Sequence, residues 1–523
     1  MPGFVLAIDL GSGGPKVGVV DEQGNVLASA AERVETIFLP GGGAEQDPHE
    51  WWRAVANAAR KAIRASGASK DSIQAVCCTT QWSVIVPVGR DGSPLMNAVH
   101  WLDTRGAPYN QQVARGFPAV EGYGLLKLIR WVLRSGFPPT HSGIDALGHI
   151  LFIKNERPEI YAQTYKFLEP MDYLNLRLTG RIAASPCSVY PMLLTDIRRP
   201  DLLQYDPWAL SVSGVDEEKL PELLPVDGVV GTVLPWVAED WGISPQAQVF
   251  VSANDNHTAA IGSGAVADFE SVVILGTSGY LAGHVPYKKT DIFNALTTIP
   301  SPLPGKYLIM AELGNTGKNL EAFLLNWVYP QDPLSLGNLP PDAFDRFNAA
   351  AAAAPPGSGG LLYLPWLNGS LSPRMDYRVR GGFINLSYQT ERCQLARAVL
   401  EGVAYNWRWL LEAVQKFIGR SFQSLRLGGG GAQSDVWAQI MADVLKIEMR
   451  QLAEPRLTNV RGAAFLAMHR LGWLPLDQSP ALVKFARLYQ PDPKRGELYD
   501  NLYAQFHACY RRINPIFHRL NQN

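Results

Sequence analysis

The segment Asp9-Leu-Gly-Ser-Gly-Gly14, with Lys16 close behind, sets a carboxylate, a hydroxyl, an ammonium group and several glycines in one short stretch. Such a stretch lets backbone N–H groups approach an anion closely, while its carboxylate can hold a hydrated magnesium ion. The chemistry expected is nucleotide-phosphate binding at Gly11, Ser12, Gly13, Gly14 and Lys16, with the metal at Asp9. Neither a P-loop nor a dinucleotide fingerprint is present, since both require a helix directly after the glycines. Here residues 16–20 resume the apolar run of residues 4–8, which predicts strand, turn and strand. Taken alone, the segment reads equally well as an ordinary glycine-rich turn.

The same device recurs about half a chain later, where the apolar run 271–275 ends in Gly276-Thr277-Ser278-Gly279 and apolar residues follow. Together the two turns suggest phosphates clamped from both sides. A third glycine cluster, Gly429-Gly430-Gly431 with Ala432, follows a strand ending at Leu427 and opens a helix, so its backbone can lie flat against an adenosine.

A general base is expected where a carboxylate ends a strand over a cleft. Asp255 fits, between the apolar run 249–251 and a small-residue helix predicted over 258–265. The competing reading makes Asp255 the N-cap of that helix. Beside it stands Asn256, and His257 is read as structural rather than catalytic. Gln81-Trp82-Ser83 and Trp101-Leu-Asp103-Thr-Arg105 put aromatic faces beside polar side chains, a combination suited to a polyhydroxylated ligand. Gln81, Trp82, Ser83, Asp103 and Asn256 are therefore the candidate substrate contacts.

These residues need two platforms. Helical patterns over 51–65, 125–133 and 393–417 alternate with strand patterns over 75–79 and 361–364, the mixture expected of α/β domains, and residues 349–360 read as a surface loop. The chain of 523 residues exceeds what one core can organise, and the repeated turns place a boundary near residue 266, giving domains 1–266 and 267–523. A net charge of -1 without basic clusters argues against nucleic acid as a partner. The absence of a long apolar run argues against a membrane. Five scattered cysteines without metal spacing suit a reducing cytoplasm. A C-terminal stripe of Tyr499, Tyr503, Phe506, Tyr510 and Phe517 has helical spacing and packs either on its own domain or on a second copy in a homodimer.

The order Asp9-Leu-Gly-Ser-Gly-Gly14, Gln46-Asp47-Pro48 with Trp51-Trp52, Gln81, Trp101-x-Asp103-x-Arg105 and Asp255-Asn256 resembles the FGGY carbohydrate kinases. The likeness continues through Gly276-Thr277-Ser278-Gly279, Leu364-Pro365 with Gly369 and Pro373, the segment 395–401, and Gly429 to Ala432 with Ser434 and Trp437, and so spans nearly the whole chain. It implies two actin-like, ribonuclease-H-like domains around a central cleft, closing on ATP, magnesium and a sugar or polyol.

Within that family the Asp255-Asn256 pair looks most like the xylulokinases, whereas glycerol kinases usually carry Asp-Gln. The implied reaction is ATP-dependent phosphorylation of a ketopentose, D-xylulose to D-xylulose 5-phosphate, with Asp255 as base. Two positions depart from the pattern. Gln81-Trp82-Ser83-Val84 stands where xylulokinases usually have Gln-Met-His-Gly, and Asn385 where the family usually has glycine. Ribulose, glycerol, a tetritol and a deoxysugar are the alternative acceptors. An actin-like ATPase without a sugar substrate is the alternative from another class.

Overall fold

The computed structural model describes residues 3–199, 201–226, 228–332 and 335–521. Two large sheets organise it, six-stranded in the first half and eight-stranded in the second. In the first, β1 (Phe4–Gly11) pairs antiparallel with β2 (Gly14–Asp21), and β2 with β3 (Val26–Ala31). On the other side of β1, strand Ile73–Thr80 runs parallel to it and Gln248–Phe250 parallel to that, with Val229–Thr232 antiparallel at the edge. Residues 5–10 of β1 are buried on both faces, which is why their apolar run shows no alternation.

The helix α1 (Pro48–Ser66) carries the chain from β3 to Ile73–Thr80. Asp47 caps it by accepting from the His49 N–H, Pro48 opens its first turn, and Gly67 closes it with φ 67°. Its buried face, including Trp51, Trp52, Val55 and Ile63, seals one side of the sheet.

The second sheet repeats this order. Ser271–Leu275 pairs with Ser278–Val285 and the latter with Tyr307–Asn315; on the other side lie parallel Ser424–Gly428, parallel Glu448–Leu452 and antiparallel Phe485–Tyr489. Helix Arg392–Ile418 occupies the place of α1, between the third and fourth of these core strands in chain order. Each half then sends a helix out of its last parallel strand, Asp255–Gly262 and Thr458–Arg470, and these two helices pack on each other. Both carry Thr-x-x-x-Gly, Thr258 to Gly262 and Thr458 to Gly462. A Cβ on Gly262 would strike the Thr458 carbonyl oxygen, and one on Gly462 would strike that of Thr258, so glycine is what permits the close crossing.

Several sequence expectations shift. The helix expected from 258 begins at Asp255. Residues 349–353, expected as loop, end the helix Ala343–Ala353, and a short 3₁₀ segment, Pro356–Gly360, follows. The glycines after Leu427 open a 3₁₀ turn, Gly430–Gln433, and the α-helix itself starts at Asp435 with Ser434 as its cap. Asn385 adopts φ 73°, a left-handed conformation that asparagine tolerates better than most residues, which accounts for it at a glycine position. The aromatic stripe lies on helix Gly496–Leu520, and Tyr499, Tyr503 and Phe506 are buried in the core of its own half, so intrachain packing explains it. Among the described residues, no helix is long and apolar enough to cross a membrane.

Candidate active site

Of the segments singled out for chemistry, all but Trp101 to Arg105, which follows the short strand Ala98–Val99 of a small three-stranded sheet, leave the carboxyl end of a core strand. β1 leads into the Ser12-Gly13 turn, Ile73–Thr80 into Gln81-Trp82-Ser83, and Gln248–Phe250 into Asn254-Asp255. Ser271–Leu275 leads into Gly276-Thr277, and Ser424–Gly428 into Gly429-Gly430-Gly431. Parallel strands align their carboxyl ends, so one edge of each sheet gathers these loops, as open α/β sheets do at their ligand crevices.

Asp255 is the first residue of its helix, not the cap. Asn254 caps it, its side-chain oxygen accepting from the His257 N–H, so the Asp255 carboxyl is not engaged as the cap. Its Oδ1 is buried and makes no hydrogen bond among the described residues. Desolvation, reinforced by the charges of Asp9 and Glu312, raises its pKa well above the ordinary 3.8, against the smaller opposing pulls of the Asn256 N–H and the Lys16 ammonium. A carboxyl held this way is poised to take a proton. His257 contacts Asn254 Oδ1 (2.8 Å) and the Pro300 carbonyl (2.8 Å), and burial lowers its pKa to about 4, so it is a neutral structural residue.

The first hairpin is held from behind. Asp9 and Lys16 face each other across β1 and β2 and form an ion pair of 2.9 Å. Gly14, at φ 121°, brings the strand against the Glu32 carbonyl so closely that no side chain would fit. Ser12 donates to Gln81 Oε1 (2.6 Å), Gln46 donates to the Ser12 carbonyl (2.8 Å), and the Trp101 indole donates to Ser12 Oγ (2.9 Å). Gln81 also donates to Gln46 Oε1 (2.8 Å), and its Oε1 lies 3.1 Å from His100 Nε2.

Two of the expected substrate contacts are held by protein partners. Gln81 is only 3% exposed, its Nε2 donating to Gln46 and its Oε1 accepting from Ser12 in the turn after β1. Asp103 is fully buried, accepting from the Ala44 N–H and from the backbone, Nε and Nη2 of Arg105, whose guanidinium also meets Glu45. Burying an ion pair is tolerated only with such complete partnering. The Trp-x-Asp-x-Arg motif thus builds a clamp beneath the site.

Trp82, Ser83 and Asn256, the other expected substrate contacts, lie near strand Tyr307–Asn315 or the loops beside it. Trp82 stacks on Tyr190, centroids 5.9 Å apart, and Ser83, at φ 59°, donates to the Ile144 carbonyl (2.8 Å). Asn256 donates to Glu312 Oε1 (3.3 Å) on strand Tyr307–Asn315 of the second half, and the Trp82 indole is a further hydrogen-bond donor to that carboxylate. Ser142 donates to Tyr377 Oη (3.2 Å), a further contact between the halves.

In the second half, Gly276 and Thr277 present backbone at a turn whose carbonyls accept from the N–H groups of residues 316–318. A Cβ on Gly429 would lie 2.7 Å from the Leu275 backbone, so the glycine loop sits directly against the second hairpin. A crevice of about 430 Å³ opens between Lys16 and residues 29–31 on one side and Gln433 and residues 453–457 on the other.

Residues 4–262 match the model of the FGGY family of carbohydrate kinases, N-terminal domain, and residues 271–471 that of the C-terminal domain. The chain belongs to the FGGY family of carbohydrate kinases. It is an ATP-dependent carbohydrate kinase with the two-domain, actin-like fold of that family. Xylulose kinase of Staphylococcus epidermidis is 29% identical over 518 residues, covering 98% of this chain and 97% of its own. Among solved structures, gluconate kinase from Lactobacillus acidophilus superposes with a TM-score of 0.84 at 22% identity, covering 99% of this chain and 100% of its own. Ligand-bound xylulose kinase from the same organism superposes with a TM-score of 0.82 at 22% identity, covering 99% of each chain.

In this FGGY kinase, sequence reasoning missed Glu312, Tyr190 and the 453–457 side of the crevice. Glu312 left a signal, a single charge inside the apolar run 308–313. Tyr190 left none, because only the fold brings it behind Trp82.

Proposed function

We propose that the chain transfers the γ-phosphoryl group of ATP to a primary hydroxyl of a ketopentose, D-xylulose, giving D-xylulose 5-phosphate. The observation that carries this reading is the buried Asp255 carboxyl at a helix start, with an unpaired Oδ1 and a pKa raised by desolvation and by the charges of Asp9 and Glu312, with Lys16 pulling the other way. Asp255 accepts the hydroxyl proton as that oxygen bonds to the γ-phosphorus; the bond from phosphorus to the bridging oxygen breaks, and ADP leaves with the electron pair.

Magnesium is commonly held by one or two carboxylates together with phosphates and water, and Asp9, a carboxylate two residues before the glycine turn, offers one. Asp9 would hold it, and when bound it neutralises charge on the phosphates. Lys16 supplies a fixed positive charge, and backbone N–H groups of Gly11 to Gly14 and Gly276 to Gly279 cradle the phosphates. Gly429, Gly430, Gly431 and Ala432 line the adenosine. The working division is residues 1–266 and 267–523, with the acceptor held mainly by the first. The five unpaired thiols and the use of ATP fit a cytoplasmic enzyme.

Magnesium-dependent ADP release, measured across xylulose, ribulose, glycerol and tetritols with an acceptor-free blank, tests this reading. Strong stimulation by xylulose is the expected result. Stimulation by a different acceptor keeps the mechanism and moves the specificity, and acceptor-independent turnover rejects both.

A further inference from the structure

Glu312 is a charge where an apolar residue would suffice. It stands on Tyr307–Asn315, between buried Leu308 to Ala311 and Leu313, and among the described residues its carboxylate forms no ion pair with an arginine or lysine. Its partners are neutral donors, the Asn256 amide at 3.3 Å and the Trp82 indole. It acts electrostatically on Asp255, on Tyr280 and on Tyr377, so it lies within reach of the reacting centre and of the contact that joins the halves. Lys16, which pulls the Asp255 pKa down, is itself paired with Asp9 at 2.9 Å, while Asp9 and Glu312 both act on Asp255 in the opposite sense.

We infer that Glu312 is a specificity-determining residue that selects neutral polyhydroxylated acceptors, accepting hydroxyl hydrogen bonds, and excludes aldonates such as gluconate by like-charge repulsion. This deepens the ketopentose reading and rests on it. A carboxylate accepts paired hydroxyl donors well, and hydrogen bonds to a charged group are worth more than those to a neutral one. An acceptor carboxylate brought beside Glu312 and Asp255 would add another negative group to a desolvated pair whose pKa values burial already raises, so a further charge there is costly. Selection works through the fixed charge that discriminates against the wrong ligand as much as through contacts to the right one.

The test is calorimetric binding of D-xylulose and D-gluconate to the full chain with a non-hydrolysable ATP analogue and magnesium, for wild type and Glu312→Gln, alongside ADP release with ATP. The wild type is expected to bind xylulose at least tenfold more tightly than gluconate. Glu312→Gln, which keeps shape and removes charge, should weaken xylulose about tenfold and shrink the preference over gluconate by a similar factor. Gluconate binding to the wild type as tightly as xylulose overturns the inference, and so does an unchanged preference in Glu312→Gln whose melting temperature matches the wild type. Failure of the kinase reading looks different: an acceptor binds with the expected preference yet releases no ADP.

Discussion

The two halves share a strand order but divide the work. In the first hairpin, the residues paired two steps before the turn are Asp9 and Lys16; in the second, the matching pair is Val273 and Leu281. The helices that cross at the centre align through Thr258 to Gly262 and Thr458 to Gly462, and on that alignment the partner of Asp255 is Pro455. At the hairpin and at the start of the crossing helix, side-chain charge thus sits in the first half, while the second offers backbone and glycine at those places and adds Glu312 from strand Tyr307–Asn315. One architecture supports both because the strand ends aim the loops, and the residues placed there set the chemistry.

The largest expected effect is at Asp255. Asp255→Asn should lower kcat about 10²- to 10⁴-fold with nucleotide affinity nearly unchanged, as equilibrium nucleotide binding and steady-state rates would report. Next, Asp9→Asn and Lys16→Met should each lower kcat about 10²-fold, whereas Val273 and Leu281, changed to other apolar residues of similar volume, should not alter rate. Comparable rate losses in the two hairpins would break the division.

Gly429→Ala should act on the other side of it. A Cβ there meets the Leu275 backbone, and the φ of 88° with ψ 173° is a glycine conformation, costing about 1–3 kcal/mol. The nucleotide KM should rise while the acceptor KM holds, and both are read from one kinetic matrix. Gly262→Ala and Gly462→Ala should each destabilise by about 1–3 kcal/mol in denaturant unfolding, and the double variant should fall short of their sum, because both wedge the same crossing.

The smallest effect is on stability against pH. The folded pKa of Asp255 lies above the unfolded 3.8, so ionising it costs folding free energy once pH exceeds that value. Asp255→Asn should therefore melt a few degrees higher than wild type at pH 8 and at the same temperature near pH 3. The acid limb of the wild-type rate profile should also sit above the ordinary aspartate range.

Much of this was legible in residues 4–20 and 271–285, where unbroken apolar runs broken only by glycine turns dictate hairpins with little alternative. The position of Asp255 was legible too, yet its freedom was not: whether residue 254 or 255 caps the helix turns on backbone angles that Asn and Asp satisfy equally well. The partners of Gln81 and Asp103 were not legible, because polar residues beside tryptophans serve a ligand or a buried clamp alike, and only the fold brings Gln46 and Ser12 to Gln81. Glu312 required knowing that its strand crosses the cleft, a long-range fact that local pattern does not carry.

The central claim is that Asp255 takes the proton in an acceptor-dependent phosphoryl transfer. The most direct test compares xylulose-stimulated ADP release by wild type and Asp255→Asn at saturating ATP and magnesium. The account predicts strong stimulation in the wild type and a rate near the acceptor-free blank in the variant, with ATP still bound. Wild-type stimulation surviving in Asp255→Asn would contradict it.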